Sequence, residues 1–156
     1  MPAGEGELSM RNATEAKFGD PATRIAQTPR WSVLLRPKQP TLGSLVLVCR
    51  EPVQAFSALS AEAFAELGDV IRRVEPMLHE LTAYERINYL MLMMVDPDVH
   101  FHVIPRYPDT RNFIGVEYRD AGWPGPPALN PAVSLDAPAR DALVGALRQA
   151  WQQTGL

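Results

Sequence analysis

With 156 residues, 46% hydrophobic and 21% charged, the chain has the composition of one ordinary soluble globular domain, long enough to bury a core. Its net charge of −3 and the lack of any dense Lys/Arg cluster argue against a protein that holds a long nucleic acid. No apolar run approaches the roughly 18–20 residues of a membrane helix, and the first residues have no apolar signal-type segment. The single cysteine, Cys49, rules out an internal disulfide framework and suits a reducing cytosol. Within "SLVLVCR" it reads as a buried, inert thiol.

In chain order, residues 1–11 are small, polar and glycine-containing and are expected to be disordered, leaving residues 12–156 as one domain. "ATEAKFGDPATRIAQ" is weakly helical, broken at Gly19-Asp20-Pro21, and is expected to cover an edge of the core. "WSVLLR" (31–36) and "GSLVLVCR" (43–50) are β-type runs joined through Pro37 and Pro40, with a turn over Pro40 to Gly43 that returns the second strand beside the first. Ser60 caps a helix whose apolar positions Phe64, Leu67, Ile71, Val74, Leu78 and Leu81 form one stripe. Pro76 is expected to kink or end it. "ERINYLMLMMV" is apolar enough for a central strand covered on both sides. A tight turn at "DPD" then leads into "VHFHVIPRY". The proline-rich stretch 121–133 cannot form regular structure. A last helix, capped by Asp136, turns Leu143, Leu147 and Trp151 inward. The whole reads as one α+β domain with an antiparallel sheet and helices packed on it.

Two of the three histidines stand one residue apart in the strand "VHFHVIPRY". Side chains alternate faces along a strand, so Asp98, His100, His102 and Ile104 share one side while Val99, Phe101 and Val103 enter the core. A carboxylate and two imidazoles in a row could serve as metal ligands with open positions. The same row could hold a nucleophile, since a neutral imidazole attacks phosphorus and its adduct passes readily to water. The row by itself leaves both open. His79, near the end of the long helix, reads as a basic residue beside a helix C-terminus.

The run His100-Phe101-His102-Val103-Ile104-Pro105-Arg106 resembles the signature of the histidine triad (HIT) superfamily, in which histidines alternate with hydrophobic residues. Its Val-Ile-Pro-Arg tail is similar to the continuation found in the nucleotide-hydrolase branches. Upstream, "TLGSLVLVCREPVQAFSALSAEAFAELGDVI" resembles the strand, basic residue and long helix that precede the triad there, so the likeness covers residues 31 to 107. It implies a HIT-like fold, with a mostly antiparallel sheet of about five strands, a long helix on it and a C-terminal helix. The activity implied is hydrolysis or transfer at the α-phosphate of a nucleotide conjugate, such as a dinucleoside polyphosphate or a nucleoside phosphoramidate. Carried over by position, His100 is the nucleophile and His102 hydrogen-bonds phosphate and helps the leaving group depart. Asn88 falls near the ribose or phosphate, and Leu34, Leu35 and Leu45 are candidates for an apolar base pocket. No cofactor is implied beyond magnesium accompanying the substrate. The partners implied are a small nucleotide and, by likeness, a second copy of the chain.

Two departures accompany the likeness. Asp98 stands in the first triad place, where a carboxylate could fix the tautomer of an imidazole. Glu51 stands where relatives often carry a further histidine, and the usual Gly-Gln-(Ser/Thr) stretch is missing before the triad. Of the cations nearest this region, Arg36, Lys38, Arg50 and Arg106, the one that directly follows the motif, Arg106, is expected to be an anion contact or a structural ion pair.

Overall fold

The structure is a computed structural model and describes residues 10–155. The expectation of disorder for residues 1–11 therefore lies outside the described residues as far as residue 9. From Asn12 the chain is ordered into α1 (Ala13–Lys17), where the Asn12 side chain accepts from the amide of Glu15 and the Glu15 carboxylate accepts from the amide of Asn12. Strands β1 (Arg24–Gln27) and β2 (Trp31–Leu35), the two-residue β3 (Lys38–Gln39) and β4 (Leu45–Cys49) follow. Next come a short 3-10 turn at Phe56–Ala58, helix α2 (Ala61–Thr82), β5 (Arg86–Leu90) and β6 (His100–Arg106). The hairpin strands β7 (Arg111–Phe113) and β8 (Val116–Tyr118), the short β9 (Val133–Ser134) and helix α3 (Ala137–Gln153) complete the chain.

Five strands form one antiparallel sheet in the order β1-β2-β4-β6-β5. The expected pairing of β2 with β4 is present, and the small β3 between them pairs instead with β9. Gly43, at φ +84°, provides the turn into β4, with Leu78 and Thr82 of α2 close against it. Helices α2 and α3 pack against each other, and the main core holds Val33, Leu35, Leu45, Leu47 and Val103 from the sheet with Val74, Met77, Leu78, Leu143 and Leu147 from the helices. No helix among the described residues is long and apolar enough to cross a membrane.

Pro76 lies inside α2 and does not end it on the spot; the helix runs on to Thr82. Two local expectations are corrected. The buried stripe of that helix is Ala63, Val70, Val74, Met77, Leu78 and Thr82, and Phe64 is largely exposed, because the stripe is set by the contact with the sheet and α3. β5 is an edge strand rather than a central one: β6 takes the place beside β4, and residues 91–99 form a loop where a tight turn was expected. Leu92, Met94 and Val95 in that loop are solvent-exposed. β1 was not anticipated.

Candidate active site

The imidazole face is the sheet face opposite the two long helices. Register runs across it in rows: Ser32, Val48 and His100 form one, and Leu34, Val46, His102 and Leu90 form the next. Leu34, Val46 and Val48 make a small separate apolar cluster there, capped by Phe18 from the end of α1. The ring of Phe18 lies edge-on to His102, with centroids 5.8 Å apart, and tilted against His100 at 6.2 Å. The two imidazoles are 5.2 Å apart, centroid to centroid, and nearly perpendicular.

His100 is 2% exposed and its Nδ1 lies 2.7 Å from the backbone oxygen of Asp98. A carbonyl only accepts, so this bond places the proton on Nδ1 and leaves the lone pair on Nε2. His102 is 7% exposed, and its Nδ1 is buried with no partner among the described residues. Burial, reinforced by the nearby charges of Arg36 and His100, pushes its pKa down from 6.5 to about 4. His102 is therefore neutral at physiological pH.

That depression has a consequence for stability. Between pH 6.5 and about 4 the unfolded chain takes up a proton at this position that the folded chain refuses. The stability present above the unfolded pKa is thus lost as pH falls through this window, by about 3 kcal/mol at most. Urea denaturation of wild type and His102→Gln at about pH 7 and about pH 4.5 measures this, and the variant should lose less stability on acidification by a margin of that order. Parallel losses in the two proteins would show that His102 titrates normally in the fold.

Asp98 is in the row but does not engage the imidazoles through its carboxylate. Oδ2 accepts from the amide of Thr14 at 3.1 Å and from its hydroxyl at 2.8 Å, so the side chain anchors α1 and only the backbone oxygen touches His100. The direct carboxylate–imidazole contact expected from the sequence is corrected accordingly. With that carboxylate committed to α1, the metal alternative loses its third ligand; among the described residues no group of three or more His, Cys, Asp or Glu is arranged to hold a metal ion.

The other expected positions divide. Leu34 is on the imidazole face, whereas Leu45 pairs with Leu35 and Val103 and, like Leu35, faces the helix-covered core, one residue out of phase with the site. Arg106 shares the imidazole face but is consumed by structural bonds rather than free to meet an anion. Its Nε and Nη2 donate to Asp120 at 2.7 and 3.2 Å, Nη1 donates to Asn88 Oδ1 at 2.7 Å, and Nη2 also donates to the Gly125 oxygen at 2.8 Å. Asn88 is likewise bound to Arg106 and lies two residues along β5 from Leu90, the neighbour of His102. Both line an open cleft of about 810 Å³ with Arg86, Leu90 and the Trp123–Pro127 segment.

Cys49 is fully buried, and burial pushes its thiol up to about 12, which excludes it as a nucleophile. His79 is exposed at the end of α2, edge-on to Tyr84. Phe18 and Thr14 were not singled out from the sequence. The Asn-x-x-Glu capping signature at residues 12–15 and a lone aromatic just after it were the available signals.

The strand-borne imidazole pair on a five-stranded antiparallel sheet backed by a long helix defines the class: the chain has the histidine triad fold. Of solved structures, a histidine triad protein from Bradyrhizobium japonicum is 25% identical with a TM-score of 0.70, covering 90% of this chain and 96% of that one. Another, from Marinobacter aquaeolei, is 21% identical with a TM-score of 0.70, over 94% and 98% of the two chains. The diadenosine triphosphate hydrolase of Plasmodium falciparum, solved with cyclomarin A, is 10% identical with a TM-score of 0.60, over 86% of this chain and 79% of that one. No family model and no curated protein sequence matches this chain.

Proposed function

We propose that the protein is a hydrolase or nucleotidyl transferase acting at the α-phosphate of a nucleotide conjugate, a dinucleoside polyphosphate or a nucleoside phosphoramidate, through a covalent intermediate on His100. The observation that carries this is the bond from His100 Nδ1 to the Asp98 oxygen, which in the neutral ring puts the proton on Nδ1 and the lone pair on Nε2, the atom that attacks phosphorus. The histidine triad fold, and the diadenosine triphosphate hydrolase among the structures similar to it, support the substrate class.

In the first step Nε2 forms a bond to phosphorus while the bond from phosphorus to the leaving group breaks, the electron pair departing with the leaving group. In the second, water attacks the same phosphorus, the N–P bond breaks with its pair returning to Nε2, and the water proton goes to solvent. A polyphosphate departs as an anion and needs no proton, which suits a neutral His102. An amine leaving group needs one, and an anionic phosphate beside His102 would raise its pKa towards the range where it can supply it. Magnesium would travel with a polyphosphate substrate as its counter-ion. With His100 nearly covered, productive binding requires Phe18 to move off the rings; it hangs on the five-residue α1, held to the sheet by side-chain bonds. A reducing cytosol and a homodimer are part of the same reading.

The test is AMP release from diadenosine tetraphosphate and from adenosine phosphoramidate, each with and without EDTA. Release from either substrate, with the phosphoramidate reaction untouched by EDTA, is the expected result. A phosphoramidate reaction stopped by EDTA and restored by a divalent metal would replace the histidine nucleophile with a metal centre. No release from either would leave a nucleotide-binding protein without this activity.

A further inference from the structure

Arg36 follows β2, and its amide donates to the Ser44 oxygen at 3.0 Å, so the β2–β4 ladder continues through it. By strand alternation it shares the imidazole face with Ser32 and Leu34. It stands one row on from the Leu34–Val46–His102 row, across β4 from His102. Two strand spacings and one two-residue step put the Cα atoms roughly 12 Å apart, with Val46 as the floor between.

Besides His100, two side chains that are always cationic act on His102, and they differ in what they are bound to. Lys17 is paired with Asp96 at 2.7 Å. Arg36 has no carboxylate within salt-bridge distance among the described residues. Its Nη1 donates to the backbone oxygen of Lys38 at 2.9 Å, and its Nε is buried with no partner. The other arginines with unpartnered buried Nε atoms, Arg30 and Arg50, each have a carboxylate within 4 Å. Burial also lowers the pKa of Arg36, the direction expected of a cation removed from water without a counter-ion. Holding a guanidinium in that condition costs free energy unless an anion is supplied, and its planar fork of donors matches a phosphate.

We propose that Arg36 binds a second phosphate of the substrate, distinct from the one His100 attacks, and so selects nucleotides that carry more than one. This rests on the nucleotide reading of the imidazole pair. The phosphate can belong to a polyphosphate chain or be an ester on the ribose; in both cases it lies over Val46 on the β2 side of His102. With Arg106 in its structural ion pair, the assignment gives the anion-binding role to a cation that is not already consumed.

Equilibrium binding tests this without turnover. The His100→Ala protein is titrated calorimetrically with AMP, ADP and adenosine 3′,5′-bisphosphate, and the titrations are repeated with Arg36→Met and Arg36→Lys added. The expected result is tighter binding of ADP or of the bisphosphate than of AMP by about 10- to 100-fold, the range of a charge-assisted hydrogen bond. Preference for ADP places the phosphate in the chain, and preference for the bisphosphate places it on the ribose. Arg36→Met should erase the preference, and Arg36→Lys, which retains the charge but not the fork, should keep part of it. Equal affinities for all three ligands, or a preference that survives Arg36→Met, overturns the assignment and leaves the His100 chemistry standing. If none of the three binds, the nucleotide reading has failed and the assignment falls with it.

Discussion

Replacing His100 with alanine should lower turnover of whichever nucleotide conjugate the protein accepts by about four to six orders of magnitude, the size of loss seen when a nucleophile is removed from a preorganised site. No other group among the described residues stands ready to substitute. The Cys49 thiol is buried in the helix-covered core, and His79 is on the outer end of α2. His102 lies beside the lost ring, but its orientation was not set for attack: its Nδ1 is partnerless, whereas the backbone oxygen of Asp98 fixes the tautomer of His100. The fold should survive, because alanine deletes one bond to a backbone oxygen and leaves the β6 ladder intact; the cost should be about 1–2 kcal/mol, visible as a modest drop in melting temperature. AMP release followed by chromatography, together with mass spectrometry of enzyme quenched in alkaline denaturant, where an N–P bond survives, checks both parts. Wild type should show a nucleotidyl adduct on the peptide containing His100, and the variant should show neither adduct nor product. A variant that keeps turnover within tenfold of wild type would move the chemistry to another group.

The face on which each strand residue lies was only partly legible in the sequence. Within β6 the period of two separates His100 and His102 from Phe101 and Val103 correctly, because alternation is a property of one strand. Which residues of the neighbouring strands share the imidazole face depends on register, which is fixed by pairing across the sheet. Leu34 pairs with Val46, the neighbour of His102, while Leu45 pairs with Val103, so two leucines of similar sequence context fall on opposite faces. The rank of β5 was misread for a related reason. Its apolar composition suits a central strand, yet the strand ends at Leu90 and the apolar run that follows leaves the sheet.

The two acidic departures from the histidine triad pattern make sense only in three dimensions. Asp98 accepts from the amide and hydroxyl of Thr14 at the start of α1. Glu51 accepts from the amide and hydroxyl of Ser60, the residue that caps α2, at 2.9 and 2.6 Å. Each carboxylate therefore meets donors at a helix start that no helical bond uses, where negative charge is favoured. Neither partner could be named from the sequence, since Thr14 and Asp98 are 84 residues apart. Asp98 thereby ties the start of the histidine strand to the helix that ends at Phe18.

Arg106→Met should be the most damaging single change to stability among the residues of this face, at about 3–5 kcal/mol. Arg106 is 4% exposed and its partner Asp120 is 7% exposed. Removing the guanidinium leaves the Asp120 carboxylate buried with the amides of Tyr107 and Gly122, both at 3.2 Å, as its remaining donors. It also frees Asn88 Oδ1 and the Gly125 oxygen, so β5, β6 and the Trp123–Pro127 wall of the cleft lose their common tie. Urea denaturation should show the midpoint falling, and the melting temperature should drop by roughly 8–15 °C for a domain of this size. Arg106→Lys should recover only part, because an ammonium cannot bond Asp120, Asn88 and Gly125 together. The decisive comparison is the double variant Arg106→Met with Asp120→Asn. If the cost arises from the uncompensated charge, removing that charge should restore about half or more of the loss, since a buried pair is worth less than the penalty of breaking it. A double variant as unstable as Arg106→Met alone would place the energy in the bonds to Asn88 and Gly125 instead, and the cleft wall should then be the segment whose amide exchange rises first.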